Sequence, residues 1–124
     1  MRPFLTVLLL LAAGSASAQW FKYATLDDIT FYIDTDTIAV KGDLRNVTEI
    51  QDLAHRDNSG ALSYRLLNEY DCKQKRLRHV SRRPYSENMG KGTAVVIRDF
   101  QGEWQRIVPG TIAEFALQKI VCGK

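Results

Sequence analysis

Alternation between apolar and polar side chains is clearest in residues 63–72 of this chain. The side chains on one predicted face are Tyr64, Leu66, Tyr70 and Cys72. Those on the other predicted face are Arg65, Glu69 and Asp71. Because successive side chains of a β-strand point to opposite faces of the sheet, the pattern predicts a half-buried strand whose core-facing side carries Cys72.

Shorter segments with β-branched, aromatic or alternating residues predict further strands. They are residues 20–24, 30–33, 46–53, 76–82, 93–98 and 104–108. Short polar side chains in residues 34–37 and 57–60 favour turns, because such side chains hydrogen-bond the local backbone. Residues 34–37 are therefore expected to interrupt the strand that begins at Thr30.

The C-terminal residues predict a helix from Ile112 to Cys122. Thr111 and Glu114 have capping-box spacing, in which the hydroxyl meets first-turn N–H groups and the carboxylate reaches back. Gly123 is a suitable residue to end the helix. The apolar face predicted from the helical period consists of Ile112, Phe115, Ala116, Ile120 and Cys122.

The first 18 residues predict a cleavable signal peptide. Arg2 supplies the positive start, residues 4–13 form an apolar run, and Ala16-Ser17-Ala18 is a small-x-small cleavage site. A transmembrane helix is disfavoured, because this run is about half the length that a bilayer requires and no later segment is longer. The predicted organisation is a signal peptide over residues 1–18 and one domain over residues 19–124.

Two cysteines, Cys72 and Cys122, remain after the predicted cleavage. In an oxidising compartment they allow one disulfide, Cys72–Cys122. Two buried free thiols are the alternative, and a zinc site is disfavoured because the cysteines lie fifty positions apart. The predicted fold class is α+β: an antiparallel sheet of about six strands with a C-terminal helix pinned to it by the disulfide.

Charge is unevenly distributed along the predicted domain. Residues 19–71 have a net charge of −5, whereas residues 72–91 have a net charge of +6. A strand through this basic stretch places three arginines on one face and two basic residues on the other. The first group is Arg76, Arg78 and Arg82, and the second is Lys75 and Arg83. We call these five residues the basic strip.

The basic strip has two interpretations. It is either a solvated hairpin edge protected against aggregation, or a binding site for an acidic protein, polysaccharide or nucleic acid. Tyr85 is the only adjoining aromatic residue, so a stacking platform for single strands is not supported and no nucleic-acid partner is expected.

Candidate catalytic residues are few, and the sequence predicts no enzyme. His55 and His79 lack a nearby nucleophile motif and are expected to be ordinary surface residues. Asp34 and Asp36 resemble the start of a calcium loop, but Ile38 occupies the next ligand position. We therefore expect no catalytic residues, no metal site and no cofactor.

A set of landmarks in fixed order resembles the surface-adhesin protein E family of Gram-negative bacteria. The landmarks are Trp20, Tyr32-Ile33-Asp34 with Ile38, Glu69-Tyr70-Asp71-Cys72 with Arg76, Trp104, Ile107, Pro109-Gly110-Thr111 and Val121-Cys122. They span essentially the whole predicted domain.

The resemblance implies a non-enzymatic, envelope-exposed binding protein with the same sheet, helix and disulfide. It implies host extracellular-matrix proteins or other acidic macromolecules, such as a protein or acidic polysaccharide, as ligands, and it implies homodimerisation. Gln19-Trp20 occupy the cleavage junction, where a lipoprotein needs a cysteine. No lipid anchor and a periplasmic or secreted location are therefore expected. The alternative function is a periplasmic structural or stress-related protein that acts on the bacterium's own envelope.

Overall fold

Six strands form one antiparallel sheet in the computed structural model, which describes residues 18–95 and 102–123. The strand order follows the sequence order, so each strand pairs with the next along the chain. The predicted signal peptide up to residue 17 and the second half of predicted strand 93–98 lie outside the described residues. The strands are β1 (Phe21–Leu26), β2 (Ile29–Lys41), β3 (Leu44–Leu53), β4 (Ser63–Asp71), β5 (Arg76–Tyr85) and β6 (Gln105–Arg106).

The polar residues 34–37 do not end β2, which continues to Lys41 with a register shift between Asp34 and Ala39. Asp34 Oδ1 accepts a hydrogen bond from the Asp36 N–H at 3.1 Å, and Thr37 Oγ1 donates to the Asp34 carbonyl at 2.7 Å. These short side chains bond the local backbone as predicted. The result is a bulge within the strand rather than a reversal of the chain.

One face of the sheet, which we call the helix face, carries the hydrophobic core. Ile33, Val47 and Tyr70 on this face are buried against the C-terminal segment. The residues that cover them are Ile107, Ala116, Leu117 and Val121. On the opposite face, which we call the outer face, β4 presents Arg65, Glu69 and Asp71, so the face assignment predicted for β4 is confirmed.

The C-terminal helix begins as an α-helical turn, α1 (Ile112–Phe115), and continues as a π-helical turn over Ala116–Val121. Thr111 Oγ1 accepts from the Glu114 N–H at 3.3 Å, and Glu114 Oε1 accepts from the Gly110 N–H at 3.1 Å. The predicted cap is therefore present. Within the described residues, no helix is long and apolar enough to span a membrane.

Phe115 was predicted to lie on the buried helix face, and this prediction is wrong. Its side chain is 46% exposed, while Ala116, Leu117 and Val121 are buried. The backbone N–H of Cys122 donates to the carbonyl of Leu117 at 2.8 Å, five residues earlier. The wider turn changes the angular spacing, so residues seven apart no longer return to one face.

The disulfide joins Cys72, just after β4, to Cys122 at the end of the helix. The Cα–Cα distance is 5.8 Å, and Cys122 packs against the core on the helix face. The predicted pairing and the predicted pinning of helix to sheet are thus confirmed.

Replacing Thr111 by Ala is expected to lower the free energy of unfolding by about 1 kcal/mol, because the first turn of the helix loses a capping acceptor. Urea unfolding followed by circular dichroism measures this change. Thr111→Ser retains the hydroxyl and is the matched control. Equal stability of the two variants would contradict a capping role.

Candidate binding surface and buried polar site

A one-residue bulge in β5 determines the faces of the sheet on which Arg82 and Arg83 of the basic strip lie. β4 and β5 pair with Asn68 opposite His79 but with Leu67 opposite Ser81, so Val80 is the additional residue. The bulge places Arg83 on the outer face with Arg76 and Arg78, and it moves Arg82 to the helix face. The predicted faces of Arg82 and Arg83 were therefore wrong, because simple alternation does not include the extra residue.

Arg76 and Arg78 are neutralised by carboxylates of β4. Arg76 Nε lies 3.0 Å from Asp71 Oδ2, and a terminal nitrogen of Arg78 lies 2.6 Å from Glu69 Oε1. The Trp104 ring covers both guanidinium groups, with its centroid 4.5 and 4.8 Å from the two Cζ atoms. These arginines stabilise the hairpin and leave less positive charge for a partner.

The other members of the strip lie apart from this group. Arg82 stacks on the Tyr64 ring of the helix face, with its Cζ 3.8 Å from the ring centroid. Lys75 is exposed in the turn between β4 and β5, where its φ of 51° is left-handed. The five basic residues predicted as one site therefore occupy several separate environments.

Arg65 and Arg83 form a second arginine group on the outer face. The two exposed residues are directly opposite each other on β4 and β5, and neither has a carboxylate partner among the described residues. They flank a depression of about 220 Å³ whose lining includes three hydroxyl groups. We call this site the outer cup; its side chains are Thr48, Arg65, Leu67, Ser81, Arg83 and Tyr85.

The outer cup has the chemistry of an anion site. Like charges that are directly opposite on neighbouring strands destabilise a sheet. Guanidinium groups bind carboxylate, sulfate or phosphate oxygens through charge-assisted hydrogen bonds, and hydroxyl groups can add further donors. An anion in the cup would offset the repulsion between Arg65 and Arg83.

A buried carboxyl group, Glu49 on β3, lies on the helix face and is 3% exposed. Tyr23 donates to its Oε1 at 2.5 Å, and Tyr70 donates to its Oε2 at 2.6 Å. The side-chain amide of Asn68 also donates to Oε2. His79 Nδ1 lies 2.5 Å from the amide oxygen of Asn68 and extends the network. Three strands besides β3 thus contribute to one polar cluster.

Burial shifts the pKa values of the ionisable groups in this cluster. Burial raises the pKa of Glu49, and hydrogen bonds from Asn68, Tyr23 and Tyr70 partly oppose that shift. Burial also raises the pKa of both tyrosines, and the nearby Glu49 charge adds to the effect. Burial, together with the positive charge of Arg82, lowers the pKa of His79. His79 is half-buried and is not the ordinary surface residue that was predicted.

The polar cluster lines a cavity of about 140 Å³ between the helix face and α1. Tyr23, Phe31 and Tyr70 provide aromatic walls, and Ile112 and Ala113 lie on the helix side. The sequence does contain a sign of this site. Glu49 occupies a position that alternates with Val47 and Leu53, so its strand places a charged group among apolar positions of one face.

The family model for surface-adhesin protein E matches residues 20–123. Crystal form II of Haemophilus influenzae protein E has 20% sequence identity and a TM-score of 0.62, covering 83% of this chain and 96% of that chain. Protein E from non-typeable Haemophilus influenzae has 18% identity and a TM-score of 0.56, covering 82% of this chain and 83% of that chain. A search of curated protein sequences returned no significant match.

At these identities the structural likeness shows a shared fold. The family match extends over nearly all of the chain beyond the predicted signal peptide. The chain belongs to the surface-adhesin protein E family.

Proposed function

We propose that this protein is a non-enzymatic, exported binding protein that holds an acidic polysaccharide against the outer face of β4 and β5. Family membership supports an adhesin-like surface protein. The proposal adds the chemical class of the ligand and the site that holds it, which is the outer cup.

The observation that carries the proposal is the uncompensated pair Arg65 and Arg83. On the same face, Arg76 and Arg78 each meet a carboxylate within 3.0 Å. Arg65 and Arg83 instead face each other without a carboxylate partner among the described residues, which costs stability. Arg65 Cζ lies 6.0 Å from the Trp20 ring centroid, a contact that leaves the charge of Arg65 unneutralised. A binding site that needs two convergent guanidinium groups accounts for this arrangement.

The exposed outer cup suits a long polyanion better than a small solute. Both arginines are exposed, and the cup is an open depression rather than an enclosed cavity. Lys75, exposed in the turn of the same hairpin, adds positive charge beyond the cup, whereas Arg82 lies on the helix face. A chain with repeated sulfate or carboxylate groups is long enough to contact the cup and this turn together.

The double variant Arg65→Ser/Arg83→Ser is expected to bind heparin, as a probe polysaccharide, at least about tenfold more weakly, because charge-assisted hydrogen bonds are lost. Calorimetry at several salt concentrations measures the affinity and should show a weaker salt dependence for the variant. Lys41→Ser/Lys91→Ser removes the same charge from exposed positions elsewhere and is the matched control.

Stability separates a binding defect from a folding defect in this experiment. Removing the facing arginines relieves like-charge repulsion, so the double variant should be at least as stable as the wild type. Unchanged heparin affinity in the double variant would overturn the proposed site. Wild-type protein that binds an acidic matrix protein but not heparin would overturn the ligand class.

A further inference from the structure

The cavity beneath α1 combines a buried carboxyl group with aromatic and aliphatic walls. Its volume of about 140 Å³ is close to that of an engineered protein cavity that binds benzene. The aliphatic part of its lining includes Leu66, Leu77, Ile112 and Ala113. This size accommodates a molecule of roughly six or seven non-hydrogen atoms.

The carboxyl group of the cavity has no permanently charged cation beside it among the described lining residues, and His79, which also lines the cavity, has a pKa that burial lowers toward the neutral form. Glu49 supplies a carboxyl group to the lining, and neither lysine nor arginine is present among the described residues that line the cavity. The donors to Glu49 are the neutral hydroxyls of Tyr23 and Tyr70 and the neutral amide of Asn68. A carboxylate has about four acceptor positions, so these three donors leave capacity for one more partner.

The aromatic side chains indicate the kind of partner that fits. Tyr23, Phe31 and Tyr70 contribute three rings to the lining around the carboxyl group. The ring centroids of Tyr23 and Phe31 are 6.0 Å apart, with the planes tilted by 52°. Aromatic faces attract cations electrostatically, and aromatic groups combined with a negative charge recognise alkylated ammonium groups.

We propose that this cavity binds a small alkylammonium ion, with the carboxylate of Glu49 as counter-ion and the rings of Tyr23, Phe31 and Tyr70 against its alkyl groups. The site lies on the helix face, across the sheet from the outer cup. Binding here is therefore independent of the polysaccharide surface.

Choline and its uncharged analogue 3,3-dimethylbutan-1-ol test the proposal, because they share a shape and differ in charge. Calorimetry on the purified protein should detect choline with a millimolar or tighter Kd and at least about tenfold weaker binding of the alcohol. In NMR spectra, the choline methyl protons should give nuclear Overhauser effects to the rings of Tyr23 and Phe31.

Two variants probe the two parts of the site. Glu49→Gln should weaken choline binding at least about tenfold, and Phe31→Leu, which leaves the polar cluster in place, should weaken it about threefold or more. Glu103→Gln and Phe115→Leu change exposed residues outside the cavity and are the matched controls. Circular dichroism verifies that each variant is folded.

Equal affinity for choline and the alcohol would show an apolar cavity without charge recognition and would overturn the proposal. So would the absence of choline binding to wild-type protein at tens of millimolar. If Glu49→Gln is unfolded, the Phe31→Leu variant and the choline-to-alcohol ratio of the wild type still decide the question.

Discussion

Loss of the Cys72–Cys122 bond should lower the free energy of unfolding by roughly 4 kcal/mol. The bond closes a loop with a sequence separation of 50, and an unfolded chain without this cross-link gains the corresponding conformational entropy. For a domain of this size, the loss corresponds to a fall in Tm of about 15 °C. The double variant Cys72→Ser/Cys122→Ser, compared with wild type by urea unfolding, measures the effect.

Reduction of the wild-type protein is the control for the serine substitutions. Reduced wild type and the double variant should unfold at similar urea concentrations, and the untreated protein should contain no titratable thiol under denaturing conditions. Equal stability with and without reductant would contradict a stabilising role for the bond.

Replacement of Glu49 by Ala should destabilise the protein by about 3 kcal/mol or more, because a buried network loses the group that its donors share. Tyr23, Asn68 and Tyr70 would all lose a hydrogen-bond acceptor at a site that is 3% exposed. Glu103→Ala removes an exposed carboxyl group and should change stability by less than about 0.5 kcal/mol. A loss below about 1 kcal/mol in Glu49→Ala would contradict the importance of the network.

The pH dependence of stability gives a second measure of Glu49. Because burial raises the pKa of Glu49 above its usual value of 4.5, the folded state retains this proton to higher pH than the unfolded state. Above that usual value, the contribution of Glu49 to the free energy of unfolding should decrease with rising pH until the folded-state group ionises. Tyr23, Tyr70 and His79 face the same cluster, so Glu49→Gln isolates the contribution: the wild-type curve minus the variant curve should show this decrease.

Local patterns predicted the sheet-and-helix architecture well. The alternation around Tyr64, Leu66 and Tyr70 identified the core side of β4, and the Thr111 and Glu114 pair marked the start of the helix. These features succeed because backbone periodicity and capping depend on residues close in sequence. The prediction that Phe115 is buried was wrong because the helix changes to a π-helical turn after this residue.

The candidate sites were harder to predict than the fold. Arg65 was assigned to the outer face of its strand, yet its place beside Arg83 follows from the β4–β5 register after the Val80 bulge. An unbulged hairpin would put Arg82 opposite Arg65 instead. Glu49 lay in a predicted strand, but the residues that donate hydrogen bonds to its carboxyl group are 19 to 26 positions away in sequence.

Alternation, capping and two cysteines in an export context were thus enough to define an antiparallel sheet, a C-terminal helix and the bond between them. A single inserted residue in β5 then placed Arg82 on the helix face, where it stacks on Tyr64, and placed Arg83 opposite Arg65 on the outer face. The pairing of β3 with β4 and the contact of Tyr23 with Glu49 brought Glu49, Tyr23 and Tyr70 together around a cavity. Both outcomes depend on pairing between distant segments, which the energetics of the folded chain select and which no local pattern encodes.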